Sequence, residues 1–141
     1  MAADHFTIET PQTMESAFPD VDPGCVPLGN RIMVQIRRTA DKTKSGIVLV
    51  AETKDTVKWN GQVARVHALG PIAFKNRETA EPWPEGMWAA EGDFIRVPRW
   101  GGDRIEVPVK DGDPVVFVCF QDHEIISKVT GDPLAMKTYI L

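Results

Sequence analysis

The stretch RIMVQIR, residues 31–37, alternates apolar and polar side chains in a way that decides the fold class. Ile32, Val34 and Ile36 would share one face of an extended segment, while the polar residues, Gln35 among them, would share the other. A period of two residues is typical of a β-strand with one buried face. We therefore predict a half-buried strand here.

Similar short segments rich in Val and Ile make up most of the remaining chain. They lie at residues 62–68, 94–98, 104–109, 115–120 and 124–129. The segment VVFVCF, residues 115–120, is apolar throughout, which predicts a central strand buried on both faces. Turn signals rich in Gly, Asn and Asp separate the segments. This spacing, without a long helical period, predicts an all-β fold built as a small barrel or sandwich.

Composition and charge limit the functions open to the chain. Its 141 residues predict one domain, and its formal net charge of −4 provides no general attraction for nucleic acid. The two cysteines lack a CxxC spacing and the three histidines do not cluster with them, so we expect neither a metal site nor a disulfide framework.

The sequence also bears on location. No apolar run approaches the roughly 18–20 residues that span a membrane. Residues 1–25 carry acidic side chains and no Lys or Arg, unlike a secretory signal or a transit peptide. We expect a cytoplasmic protein whose N-terminal arm is mostly irregular and packs onto the body through Phe6, Ile8 or Phe18.

Two connections between predicted strands are longer than is usual in small barrels, and such connections are usually functional. They are residues 39–59 and residues 71–91. The first contains the apolar run GIVLV, residues 46–50, between flanks rich in Lys, Thr, Asp and Glu. Periodicity alone leaves a short strand as an equal alternative for this run. The flanks, however, are typical of a mobile loop that orders when its apolar tip binds a groove.

Several motifs follow one another in an order known from one family. They are PLGNRIMVQI (27–36), KSGIVL (44–49), NGQVARVHALGP (60–71), EGDFIRVPRWGG (91–102) and VVFVCFQDHEIISKV (115–129). In order and spacing they resemble the pattern of the GroES-type co-chaperonins, also called the chaperonin-10 family. The resemblance covers residues 26–129 and leaves residues 1–25 as an N-terminal arm and 130–141 as a C-terminal tail.

The resemblance implies a GroES-like β-barrel that forms a homo-heptamer and caps the folding chamber of a GroEL-type ring chaperonin. Such a co-chaperonin assists ATP-dependent protein folding by its partner. It is not an enzyme and has no cofactor, because the chaperonin binds the nucleotide. The chaperonin-binding residues of the family match the tip of the first long connection, Gly46, Ile47, Val48, Leu49 and Val50.

Other roles carry over to matching positions in the same way. Trp100 matches an aromatic residue that lines the cavity, and residues 71–91 match the hairpin that roofs the dome. In the family, the first strand of one subunit pairs with the last strand of the next, which removes exposed strand edges. The matching contact residues here are Val26, Pro27, Leu28, Ile125 and Ile126.

The chain departs from the family pattern at some of these positions. Asn30 stands where the family has an acidic residue, Ser45 replaces a glycine before the loop tip, and Val50 makes the tip more apolar. These departures, with the arm and the tail, are typical of a divergent member. A virus-encoded protein acting in a host cytoplasm is one interpretation.

Two other functions stay open from the residues alone. Small barrels can bind single-stranded nucleic acid by stacking bases on aromatic rings, and the chain has four tryptophans. They are Trp59, Trp83, Trp88 and Trp100. The same barrel could instead form a purely structural ring. An enzyme is not expected, since no set of nucleophile, base and orienting group stands out.

Overall fold

A computed structural model describes residues 13–38, 63–110 and 112–136. The loop tip at residues 46–50, together with Phe6, Ile8 and Trp59, lies outside this part of the chain. In chain order the elements are α1 (Met14–Ala17), β1 (Arg31–Ile36), β2 (Val63–Leu69), β3 (Phe94–Arg96), β4 (Asp103–Val107), β5 (Val115–Gln121), the 3-10 helix Asp122–Glu124 and β6 (Ser127–Lys128).

The described strands form one antiparallel sheet of six strands in the order β4-β5-β1-β2-β3-β6. The predicted all-β fold is confirmed. Strand β1 lies inside the sheet, where Val34 stands opposite Val66 of β2 and Val118 of β5. Strands β4 and β6 end the order, so each has a free edge as far as the described residues show.

The prediction that β1 has one solvent-facing side is wrong. Met33 is 2% exposed, and Val34 and Gln35 are 0% exposed. The N-terminal arm lies over the second face, where Gln35 Nε2 donates to the carbonyl oxygen of Pro19 at 2.7 Å. Gln35 Oε1 accepts from Arg65 Nη2 at 2.7 Å. With both ends of its amide hydrogen-bonded, Gln35 can be buried without a large penalty.

The predicted central strand is confirmed, and the predicted last strand is shorter than expected. Strand β5 lies between β4 and β1, with Phe117 and Val118 fully buried in different apolar clusters. The sequence predicts a strand over residues 124–129, but only β6 within it pairs with β3. The chain first forms the 3-10 helix, where Glu124 Oε1 accepts from the backbone N–H of Gln121 at 2.9 Å.

Buried side chains form three apolar clusters. The main cluster joins the inner strands to the second long connection and includes Ile32, Val34, Val66, Phe74, Ile95, Val118 and Phe120. A second cluster contains Met33, Val115 and Phe117, with Val21 of the arm packed against it. The third contains Ala17, Phe18, Val63 and Val129, with Phe94, Leu134 and Met136 packed against it. Phe18 is 2% exposed, which confirms it as an anchor of the arm.

Candidate functional site

The predicted contact residues before β1 include two strongly exposed apolar side chains. Val26 is 71% exposed and Leu28 is 68% exposed. Pro27 between them is buried, and all three precede the turn at Gly29 and Asn30. The buried proline therefore holds the segment against the body, while its neighbours face solvent.

The predicted contact residues before β6 point in opposite directions. Ile125 packs against the main cluster, whereas Ile126 is 56% exposed. The backbone N–H of Ile126 donates to the carbonyl oxygen of Arg96 at 3.0 Å, which extends the pairing of β6 with β3. Ile126 is thus an exposed apolar side chain beside the strand that ends the sheet, a position suited to pairing with another chain.

The turn before β3 contacts β6 through an ion pair. Asp93 Oδ2 accepts from the backbone N–H of Ala90 at 2.9 Å and lies 3.2 Å from Lys128 Nζ. The bond from Ala90, followed by that from Lys128, lowers the pKa of the Asp93 carboxyl from its usual value. Asp93 belongs to the Gly-Asp turn that carries part of the family resemblance.

A buried polar network that sequence reasoning missed links several parts of the fold. Asp122 is 2% exposed and accepts from Asn30 Nδ2 at 3.3 Å and from the backbone N–H of Phe74 at 2.9 Å. Asn30 Nδ2 also donates to Gln121 Oε1 at 2.8 Å, and Arg77 Nη1 donates to Asn30 Oδ1 at 2.9 Å. The network joins the turn before β1 to the end of β5 and to the second long connection.

This network gives a physical reason for the amide at position 30. Asn30 supplies N–H groups to the buried Asp122 carboxylate, whereas an acidic residue would place two carboxylates together. The departure from the family pattern was visible in the sequence. The contact between Asn30 and Asp122 was not visible, because the two residues are 92 positions apart and share no motif.

The second long connection, residues 71–91, contains a narrow hairpin. Lys75 and Pro82 form an antiparallel bridge, and the backbone N–H of Asn76 donates to the carbonyl oxygen of Glu81 at 2.8 Å. Asn76 Oδ1 accepts from the backbone N–H of Glu78 at 2.8 Å, so the asparagine side chain stabilises the turn.

Aromatic rings pack this connection against the main apolar cluster. The Trp83 and Trp88 rings lie 4.9 Å apart, centroid to centroid, and both lie near the buried Phe74 ring, at 5.5 Å and 6.2 Å. Both tryptophans also pack against the main cluster. These two rings therefore pack in the core and do not form an exposed platform for stacking bases.

Trp100 is placed differently from the other described tryptophans. It is 66% exposed, and Arg99 Cζ lies 5.9 Å from its ring centroid. The turn after it is tight, because Gly102 has a φ of 71° and a Cβ there would lie 2.5 Å from Val118 Cγ1. This close approach sets the start of β4 against β5.

Other features of the described residues bear on cofactors and membranes. Among residues 13–38, 63–110 and 112–136, no group of three or more His, Cys, Asp or Glu side chains is placed to hold a metal ion. Both cysteines are free thiols, and burial raises the pKa of Cys119. In the same ranges, no helix is long and apolar enough to cross a membrane.

Comparison with known proteins identifies the family. The family model described as Chaperonin 10 Kd subunit matches residues 25–107, more than half of the chain. The chain is 33% identical over 92 residues to Co-chaperonin GroES of Caldicellulosiruptor saccharolyticus, covering 65% of this chain and 84% of that protein. It is 33% identical over 96 residues to Co-chaperonin GroES of Thermus thermophilus, covering 68% and 84%.

A eukaryotic relative extends the match. The chain is 32% identical over 107 residues to the 10 kDa heat shock protein, mitochondrial, of Saccharomyces cerevisiae, covering 76% of this chain and 90% of that protein. The ordered motifs, the antiparallel sheet and these similarities agree with one another. The chain belongs to the chaperonin 10 kDa subunit family, that of the GroES-type co-chaperonins.

Proposed function

We propose that this co-chaperonin assembles as a homo-heptameric ring and caps the folding chamber of a GroEL-type chaperonin. The observation that carries the assembly is the exposure of three apolar side chains, Val26, Leu28 and Ile126, at the family's contact positions. Each gains roughly 1–2 kcal/mol when a neighbouring subunit covers it. Pairing between subunits also satisfies the edge of the sheet beside β6.

Docking on the chaperonin is proposed for residues 46–50. A polar segment with an apolar tip binds weakly at one site, because ordering the segment costs conformational entropy. Several such segments on one ring bind together at high effective concentration, so the whole ring is held firmly. The nucleotide state of the chaperonin then decides between capture and release.

The remaining assignments complete the proposal. Trp100 faces the cavity, residues 71–91 form the roof, and residues 1–25 and 130–141 are additions to a barrel of residues 26–129. The ring works in the cytoplasm, binds no cofactor, catalyses no reaction, and has neither a nucleic-acid nor a membrane partner.

The contact surface can be tested by a single charge. Leu28→Asp is expected to convert the ring into folded monomers, because the carboxylate would be buried without a partner at each contact. Native mass spectrometry gives the subunit number, and circular dichroism shows whether the monomer is folded. Met87→Asp is the matched control, since Met87 is 56% exposed but lies outside the proposed contact. If the Leu28→Asp protein forms the heptamer to the same extent as the Met87→Asp control, the assignment of the contact is refuted.

The capping activity can be tested by client refolding. A denatured client that refolds only inside a closed chamber is diluted into a GroEL-type chaperonin and ATP, with and without this chain. Recovery of active client is expected only when the chain is present, since the cap prevents premature escape. Equal recovery in both reactions would contradict the capping function.

A further inference from the structure

The two ends of the first long connection are fastened to each other. Arg37 and Arg38 follow β1, and Val63 begins β2 on the return of the chain. The backbone N–H of Arg37 donates to the carbonyl oxygen of Val63 at 3.0 Å. These residues form the base of the connection that carries the proposed docking tip.

The N-terminal arm binds this base through the end of α1. The backbone N–H of Arg38 donates to the carbonyl oxygen of Ala17 at 2.8 Å, and Arg38 Nε donates to that of Ser16 at 3.0 Å. The last carbonyl groups of a helix have no partner within the helix, so Arg38 satisfies two acceptors that otherwise need water or a cap. Thr13 caps the other end, where its Oγ1 accepts from the backbone N–H of Ser16 at 3.1 Å.

Phe18 fixes the arm in this position. Its ring lies 5.1 Å from the Phe94 ring, centroid to centroid, in an edge-to-face arrangement, and Arg65 Cζ lies 5.8 Å from its centroid. Phe18 shares its buried cluster with Val63. The same apolar cluster therefore holds the arm and the returning end of the connection.

The C-terminal tail contacts the base from another direction. Arg37 Nη1 donates to the carbonyl oxygen of Met136 at 3.3 Å, and Leu134 and Met136 pack against the cluster that contains Phe18. Burial lowers the pKa of Arg37, and the charge of Asp132 in the tail opposes that lowering. The Arg37 side chain thus links the end of β1 to the tail.

We propose that residues 16–18 and 132–136 form a base clamp that fixes both ends of the first long connection and so limits the chain length that must order on docking. This inference rests on the proposed docking function of residues 46–50. The clamp residues lie outside residues 25–107, the range that the family model matches. A released base would lengthen the segment, and every added residue raises the entropy that docking must overcome.

The clamp is tested by truncating its anchor in the full chain. In Phe18→Ala we expect the Arg38 amide to exchange its hydrogen at least about tenfold faster, because its acceptor is no longer held. Affinity for the chaperonin is expected to fall about threefold to tenfold, because each residue freed at the base must be ordered again on docking. The amide of Val34, in the middle of β1, should still exchange only through global unfolding, so that its exchange rate changes only as far as the free energy of unfolding does. Phe18→Leu should recover most of both losses.

Two further variants separate the clamp from general stability. Phe74→Ala removes an equally buried ring near Asp122, at the opposite end of β1, and should leave the Arg38 amide and the affinity of the folded ring unchanged. Arg38→Lys keeps the charge but removes the Nε bond to Ser16 and the Nη1 bond to Asp113, so it gives a milder version of the Phe18→Ala result. If Phe18→Ala fails to fold, Arg38→Lys decides by the same two readouts.

The outcomes distinguish the clamp from the docking proposal. Unchanged Arg38 exchange in Phe18→Ala, or faster exchange with unchanged affinity, overturns the clamp. Equal loss of affinity in Phe74→Ala overturns it as well, since the effect would then follow stability alone. No binding by the unaltered ring overturns the docking function instead, and the exchange data still show whether the base is held.

Discussion

Replacing Ile47 or Leu49 by Asp is expected to abolish chaperonin capture while the ring stays assembled. A carboxylate cannot enter an apolar groove without losing its hydration, which costs at least about 2 kcal/mol at each docking site. The penalty is repeated at every loop of the ring, so a moderate loss per site becomes complete loss of capture. Co-elution of the ring with the chaperonin in the presence of ADP measures the effect.

A charge elsewhere in the same connection is the control for these variants. Thr53→Asp adds the same carboxylate to the polar flank, and we expect it to be captured nearly as well as the unaltered ring. If the chaperonin captures both tip variants normally, residues 46–50 are not the docking site. Loss of capture in all three proteins would show that net charge, rather than the tip, decides binding.

The largest expected loss of stability follows from Asp122→Ala. The change removes one of the two acceptors of Asn30 Nδ2 and the acceptor of the backbone N–H of Phe74, and it leaves a cavity beside residues that are themselves buried. Each stranded buried donor costs about 1–3 kcal/mol, so a total loss of about 3 kcal/mol is expected. Urea unfolding at one fixed subunit concentration measures it, since assembly itself contributes to apparent stability.

Asp93→Ala is the matched control for this variant. Asp93 also accepts a backbone hydrogen bond, from Ala90, and pairs with Lys128, but water can replace both partners at its partly exposed position. Its loss should be clearly smaller. Equal losses for the two variants would show that the buried network adds nothing beyond an ordinary surface turn.

The features that the sequence predicted correctly are those set by local pattern. The unbroken apolar run of β5 requires burial on both faces, and the turn signals between strands predict short antiparallel elements. Phe18 was among the candidates for anchoring the arm, because a large apolar side chain in a polar segment gains most from burial. The family followed from the order of several weak motifs.

The features that were missed depend on partners far away in the chain. Gln35 has the pattern of a solvent-facing residue, and only the carbonyl of Pro19 and the Arg65 side chain explain its burial. The contact between Asn30 and Asp122, and that between Arg37 and Met136, join distant segments that no periodicity connects. The last strand was predicted too long, since Glu124 belongs to the 3-10 helix and only Ser127 and Lys128 form β6.

The most direct test of the central claim is native mass spectrometry of the chain mixed with a bacterial double-ring chaperonin and ADP. We predict a heptameric ring of this chain bound to one or both ends of the chaperonin. A chain that stays monomeric and leaves the chaperonin unbound would contradict both the assembly and the capping function.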